Sequence, residues 1–564
     1  MKLLIDGREC FAETGQSLRQ LIAGMGLDSE SLSQRPIAAK ISGEVFNLNY
    51  IPVREKDITE RVSIRRAMAA SEGVVELLRY TDPVGREVYE RTARFVVFLA
   101  LHRLWPNVRA KMGTTLGSAL YVAVDDEDFS WMRLRREVRA LVEQDIPLTR
   151  RLISTADAVK LFTEKGKTDK ARLLSLRKEE TFGCYGYEDF LDYYYGEMAP
   201  STGYVQVWDI LPAQGGFFFI YPDDNCPDQV AEYKAMPRVF EVCMEGDRWC
   251  ELMECETVAD LNALTENGKI RELIRVNEAL HEKRYAQVAD MVCQRGARAV
   301  MLAGPSSSGK TTSANRLATQ LRVHGKKPVL MGLDDYYIDR DLIEPGPDGT
   351  VDLEHINTID TALFRKNLQD LLAGKEIEIP TFDFKTGKRV WKGHKFRMEK
   401  ETVIIVEGLH ALNPALIPPQ LDKNSVFKFY ICPLIPLSLD DHNRIPASNL
   451  RLLRRIVRDF ATRGATVERT LSMWDSVRRG EKRWIFPFRE QADVIFNTST
   501  LYELAVVKKH IFPLLTAVQP EESCYEQIRG LVKILNYIQE ADVDDEIPPT
   551  SLLREFIGGN TFYK

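Results

Sequence analysis

The stretch Gly304-Pro305-Ser306-Ser307-Ser308-Gly309-Lys310-Thr311 decides how the second half of this chain folds. It follows the apolar run Ala299-Val300-Met301-Leu302-Ala303 and opens a segment with helical spacing, which reads as strand, glycine-rich loop and helix N-terminus. In that geometry successive backbone N–H groups and the helix dipole face a phosphate chain. Gly304, Ser306, Ser307, Ser308, Gly309 and Thr312 form the cradle, Lys310 would reach the β and γ phosphates, and the Thr311 hydroxyl would hold Mg²⁺. A flexible Gly/Ser loop can match the pattern by chance, but the flanking strand and helix signals argue against that. Taken alone, the loop suits a switch, an ATPase or a kinase.

Composition limits the choices. A chain of 564 residues exceeds one core, and a spacing of one domain per ~150 residues suggests three or four. Its net charge of −6 gives no global basic field for nucleic acid, so any RNA contact needs a local patch. Nine cysteines are scattered; Cys243, Cys250 and Cys255 cluster without a C-x-x-C pair, which suits reduced thiols better than disulfides or a zinc ribbon. Met1-Lys2-Leu3-Leu4-Ile5-Asp6 reads as a short strand rather than a signal peptide, and no apolar run approaches the ~20 residues of a membrane span. A cytoplasmic protein without a membrane partner is expected.

Residues 1–62 alternate short strands with one helix, and Ser42-Gly43-Glu44 reads as the turn of a hairpin. The hairpin Ile37-Ala38-Ala39-Lys40-Ile41-Ser42-Gly43-Glu44-Val45 and the helix before it resemble the β-grasp TGS domain that opens threonyl-tRNA synthetases. In residues 63–225, Leu101-His102-Arg103-Leu104-Trp105-Pro106 and Ala199-Pro200-Ser201-Thr202-Gly203 resemble segments of the editing domain of those enzymes. That resemblance implies an α+β fold with a zinc site, yet the four ligand places fall on Arg91, Phe95, Tyr194 and Met198. None is a zinc ligand at neutral pH, so the fold is expected without the editing chemistry. Tyr193-Tyr194-Tyr195 and Phe217-Phe218-Phe219-Ile220 could stack on RNA bases, but aromatic core strands are the simpler reading. Arg133, Arg135, Arg136, Arg139, Arg150 and Arg151, interleaved with Glu137 and Glu143, read as a solvated helix face.

Residues 226–296 show helical spacing and read as a helical connector. After the loop helix, Lys327-Pro328-Val329-Leu330-Met331-Gly332-Leu333 gives a second strand ending in Asp334-Asp335-Tyr336-Tyr337. Residues just past a parallel strand's carboxyl end point into the ligand crevice, where an aspartate can take a hydroxyl proton during phosphoryl transfer. Asp334 is the candidate base and Asp335 its rival.

Residues 304–312, Leu333-Asp334-Asp335-Tyr336-Tyr337, Asp352-Leu353-Glu354-His355, Ile379-Pro380-Thr381-Phe382-Asp383-Phe384, Val403-Ile404-Ile405-Val406-Glu407-Gly408 and Arg454-Arg455-Ile456-Val457-Arg458-Asp459 follow, in order, the pattern of the uridine kinase and phosphoribulokinase family. The resemblance covers roughly residues 297–515, and the whole chain resembles a bacterial nucleoside kinase group that joins both synthetase-like domains to such a kinase. It implies a metal role for Glu407, a lid carrying Arg451, Arg454, Arg455, Arg458 and Arg463, and an acceptor site around Tyr337, Glu354, Phe382, Phe384 and Arg455. Arg455 and Arg458 are the candidates for catalysis, beside Asp334 and Lys310. The acceptor residues depart from the family: Glu354 stands where uridine kinases carry Asp, and the base-reading Tyr, His, Arg and Gln become Phe382, Gly387, Ala465 and Met473. Losing those polar contacts weakens any preference for pyrimidines. The polar segment Asp440-Asp441-His442-Asn443-Arg444 lies where an acceptor pocket could be rebuilt, and His442 reads either as a donor to substrate there or as a structural loop histidine.

The expected architecture is therefore α/β: a P-loop kinase over residues 297–520 with a parallel sheet, preceded by the β-grasp and α+β domains, with residues 521–564 docking as a tail. The first functional reading is an ATP- and Mg²⁺-dependent kinase acting on a nucleoside hydroxyl. An RNA- or ribosome-associated regulatory ATPase, and a kinase for a sugar or sugar phosphate, stay open. RNA contact through the front domains and a homo-oligomer are both compatible with the sequence.

Overall fold

The computed structural model describes residues 1–52, 73–177, 179–344 and 352–562, and divides into two compact units. One holds Met1–Ala235 with Leu439–Arg444; the other holds Met236–Ser438 with Ile445–Lys564. Among the described residues, no helix is long and apolar enough to cross a membrane.

The first unit opens with a five-stranded sheet in the order Arg8–Phe11, Lys2–Ile5, Val74–Leu78, Ala38–Ile41, Glu44–Asn47. Ser42 and Gly43 carry φ of +47° and +84°, which lets a two-residue turn follow the twist of its strands. Helix Leu18–Gly24 starts at a capping box between Ser17 and Gln20 and buries Leu18, Leu21 and Ile22 against Leu3, Ile5, Ile41 and Leu77. The central strand, Val74–Leu78, runs parallel to Lys2–Ile5 and antiparallel to Ala38–Ile41. The sheet is thus completed beyond residue 62, and the boundary expected there lies outside the described residues.

Helix Pro83–Leu104 is the axis of the next core, with twelve buried residues, and packs beside a four-stranded antiparallel sheet ordered Asp209–Ala213, Gly216–Ile220, Ala119–Asp125, Arg109–Leu116. Phe217, Phe219 and Tyr194 are buried in this core, Phe218 is buried on the same sheet, and Tyr193 is buried in a separate cluster with Phe162 and Phe182, so these rings pack inside the fold. The four places of the synthetase zinc ligands are filled by packing and hydrogen bonds. Arg91 donates to the Glu197 carbonyl at 2.6 Å, Phe95 meets Phe190 and Tyr194 edge-on, and Met198 is buried. Among the described residues no cluster of three or more His, Cys, Asp or Glu side chains could hold a metal.

The segment expected to rebuild an acceptor pocket belongs to this unit instead. Asp441 accepts both the Met112 N–H, at 2.7 Å through its carbonyl, and the Arg109 guanidinium, at 3.0 Å through its carboxylate. His442 stacks on Phe98 at 3.8 Å and hydrogen-bonds Asp192, which also pairs with Lys170; Tyr193 donates to Asp440 at 2.6 Å. The cause of the misplacement is charge. Lys170 is buried, and burial works against its ammonium, but Asp192 and Asp440 outweigh that and hold its pKa above the ordinary value. Asp440 therefore serves as a buried counter-charge and cannot line an acceptor site.

In the second unit, five parallel strands lie in the order Lys327–Gly332, Thr402–Glu407, Ala299–Ala303, Val426–Cys432, Val494–Asn497. Ala299–Ala303 is buried throughout, as a parallel strand covered on both faces should be. The loop helix Lys310–Val323 packs Ala314, Leu317 and Leu321 against Tyr285, Val288 and Val292 of helix Ile270–Arg295. That helix, expected in a connector, is a layer of this core, while residues 226–235 stay with the first unit. Towards the C-terminus, Leu552, Leu553 and Phe556 are buried.

Candidate functional site

The chain starts the sheet at Ala299–Ala303 and later adds strands on both sides of it, so the strand order switches there. That is where an open parallel sheet leaves a crevice at its carboxyl edge. Gly304 turns the chain out of the strand in a space without room for a side chain: a Cβ would lie 2.5 Å from the Ile431 carbonyl oxygen. Ser307 and Gly309 adopt left-handed φ of +59° and +87°, curling the loop over the start of helix Lys310–Val323. The Ser307 and Ser308 hydroxyls are buried without a hydrogen-bond partner among the described residues, which leaves two polar groups for an anion. Lys310 donates to the Gly304 and Pro305 carbonyls at 3.1 and 3.2 Å. Burial lowers its pKa, opposed by Glu407 and Asp334.

Three acids face that lysine from three elements. Glu407 ends strand Thr402–Glu407 and accepts the Thr311 hydroxyl at 3.1 Å. Asp334 sits in the turn Leu333–Tyr336 just past strand Lys327–Gly332 and accepts the Tyr337 hydroxyl. Burial raises the Asp334 pKa, Lys310 opposes the rise and Asp335 adds to it. Asp335 points elsewhere: it accepts the Phe382 N–H at 3.3 Å and interacts with Lys392 and His394. The structure thus brings Asp334, and not its neighbour, to the lysine. Glu555, from the C-terminal segment, is the third acid.

At Glu354, one of the residues expected to meet an acceptor, burial and Glu481 push the carboxyl up to about 7 against the pull of Arg455. Tyr337, Phe382 and Phe384 form an edge-on aromatic group with centroids 5.2 to 6.4 Å apart, and Phe384 is 55% exposed. Gly387 has φ of +70°, and a Cβ there would lie 2.7 Å from Arg340 Cδ.

Helix Ala447–Arg463 separates its arginines by role. Arg455 donates to the Ser306 hydroxyl at 3.0 Å and pairs with Asp459, which Arg458 also meets at 2.8 Å. Arg451 and Arg454 were expected in the same lid set, but they lie in buried pairs with Glu481 and Glu503, and Arg454 also reaches the Thr498 carbonyl at 2.9 Å. Their charges are held inside the fold.

Sequence reading missed Glu481, Gly480 and His410. Glu481 accepts the Ser306 N–H at 2.8 Å, and Gly480 lets Glu354 lie against its helix, since a Cβ would meet Glu354 Cβ at 2.4 Å. His410 is buried, donates to the Glu354 carbonyl and is held well below the ordinary histidine value by burial, at about 4. Its place three residues past Glu407, beyond a strand's carboxyl end, was the available signal.

Residues 299–504 match the model of the phosphoribulokinase / uridine kinase family. A uridine kinase from Macrococcus caseolyticus is 32% identical over 195 residues, which cover 34% of this chain and 84% of that protein. The chain belongs to the phosphoribulokinase / uridine kinase family. The family match takes in Lys310, Asp334, Glu407, Arg455 and Arg458 but ends before residues 551–560. A solved structure described as a possible uridine kinase from Bacillus stearothermophilus is 19% identical, with 37% of this chain and 97% of that chain covered and a TM-score of 0.25. The N-terminal part is similar to threonine–tRNA ligases; that of Listeria welshimeri is 26% identical over 218 residues, 38% of this chain. The chain spans 31% of the length of that ligase.

Proposed function

We propose that the protein is an ATP- and Mg²⁺-dependent kinase that phosphorylates a hydroxyl of a nucleoside or related ribose-bearing molecule. The observation that carries this reading is the meeting of Asp334, Lys310 and the Thr311–Glu407 pair in one crevice. A nucleotide switch needs an acid such as Glu407 at its metal but no second one, like Asp334, placed to take a proton from an acceptor.

The residues fit the groups this reading requires. Thr311 and Glu407 offer two oxygen donors, as expected for Mg²⁺, which takes few protein ligands and shares its remaining positions with phosphate and water. When bound, the ion would neutralise phosphate charge. The loop amides other than that of Ser306, which donates to Glu481, would hold the phosphates with the Ser307 and Ser308 hydroxyls. Asp334 would take the proton as the acceptor O–H bond breaks; the acceptor oxygen then bonds to phosphorus while the bridging oxygen of ATP leaves with its electron pair. Lys310, Arg455 and Arg458 would stabilise the charge that spreads over the transferring group. Glu354 would accept two hydroxyls of the acceptor, with Tyr337, Phe382 and Phe384 beside its ring.

A second reading keeps the chemistry and makes the acceptor a sugar or sugar phosphate. Gly387 favours it, because a side chain able to read a base has no space at that position. Screening ATP consumption by the purified chain against nucleosides, sugars and sugar phosphates, with and without tRNA, decides between them. Turnover that requires RNA would replace both readings with a regulatory ATPase.

A further inference from the structure

The C-terminal segment reaches the phosphate loop, and neither the family match nor the proposed chemistry uses it. Three buried contacts hold it. Ser551 donates to Glu278 at 2.6 Å, Leu552 packs against Gly309 so closely that a Cβ there would lie 2.5 Å from Leu552 Cδ1, and Phe556 lies 5.0 Å beneath the Arg454 guanidinium. These contacts set the short helix Arg554–Ile557 against the loop and aim Glu555 at the first turn of helix Lys310–Val323. There the Thr312 hydroxyl donates to the Glu555 carboxylate at 2.7 Å, and the Asn560 amide comes within 3.5 Å of the same hydroxyl. Glu555 also acts electrostatically on Lys310 and Glu407.

A carboxylate in this position does what a phosphate oxygen would do. It accepts from a hydroxyl of the loop helix, faces the loop lysine and sits at the positive end of a helix dipole. A phosphate chain laid along the same loop meets it as a like charge in a partly enclosed site, where repulsion is poorly screened. We propose that Glu555 is an autoinhibitory carboxylate of the donor site: it holds the place of a nucleotide phosphate on Thr312 and has to turn away before a nucleoside di- or triphosphate seats fully. The proposal rests on the donor-site reading above and adds a competitor built into the chain.

The test measures binding of inorganic pyrophosphate and of ADP, without metal, to the full-length protein, to Glu555→Gln and to Glu555→Asp. Removing the charge, or withdrawing it by one methylene, is expected to tighten both ligands on the order of tenfold, as loss of one nearby like charge should. Unchanged affinity in both variants overturns the proposal. So does weaker ADP binding with pyrophosphate unaffected, since Glu555 would then be a ribose ligand. Lys310→Ala separates the two levels of inference. If wild type binds ADP, Lys310→Ala does not and the Glu555 variants equal wild type, only the autoinhibitory role fails. If wild type and Glu555→Gln both bind neither ligand, the donor site itself has been misread.

Discussion

The backbone N–H of Ser306 donates to the Glu481 carboxylate at 2.8 Å, which ties the phosphate loop to helix Val467–Trp484. Arg451 grips that carboxylate through a second contact at 2.7 Å, and both side chains are buried. Glu481→Ala leaves a buried guanidinium without its counter-charge, at a cost of about 3–5 kcal/mol, whereas Glu481→Gln keeps an acceptor for Ser306 and should cost less. Urea unfolding of the two variants measures this; an alanine variant as stable as wild type would refute the tie.

Asp334→Asn should lower phosphoryl transfer by roughly 10²- to 10⁴-fold, the usual worth of a positioned base, while ADP binding persists. Asp335→Asn should keep most of the rate, because its carboxylate serves the Phe382 N–H. Turnover and binding measured side by side check both, and equal losses would return the base assignment to an open question.

Glu354 gives a pH dependence with a definite sign. Its folded value of about 7 lies above the ordinary 4.5, so between the two the folded protein holds a proton that the unfolded chain has lost. Stability from this group accordingly falls as pH rises through that window and is flat above about 7. Acceptor binding runs the other way, since protonation turns one of the carboxylate's two accepting oxygens into a donor. Acceptor kcat/KM should rise between roughly pH 6 and 8, and Glu354→Gln should flatten the profile; an unchanged profile in that variant would remove Glu354 from the acceptor site.

Restoring single base-reading residues should not produce a uridine kinase. Gly387→His places a Cβ 2.7 Å from Arg340 Cδ at φ of +70°, so it should destabilise the protein by about 1 kcal/mol or more. Met473→Gln, on an exposed face, should leave stability within about 0.5 kcal/mol. Neither should give efficient uridine turnover, and a coupled assay with thermal melting tests both statements.

In the first unit, Lys170→Met would strand Asp192 and Asp440 without their cation, at about 3–5 kcal/mol. Calorimetry of the full-length protein reads this directly. A melting temperature equal to wild type would show that the buried charges are neutralised in another way.

The loop, the parallel sheet and the acids at its carboxyl edge were legible because each is set by a few adjacent residues: a glycine-rich turn between an apolar strand and a helix, an acid where a strand ends. What failed to read was chemistry assembled across long separations. His442 could be read as a donor to substrate because its partner Asp192 lies 250 residues earlier, and Arg451 as a lid residue because Glu481 lies on another helix. Helical spacing of arginines gives the face they share, not which of them meets a buried acid. The first sheet exposed a similar limit, since its central strand comes from beyond the expected domain edge.

The first unit takes its last piece, Leu439–Arg444, from far down the chain, and that governs the order in which the molecule can be made. On a ribosome the first 235 residues emerge on the order of 200 residues, or about 10–40 s, before the segment that supplies Asp440 and His442. Until then Lys170 and Asp192 must stay hydrated or find provisional partners. The nascent front half is therefore an incomplete body awaiting a late insert, and its maturation is timed by synthesis of the second half.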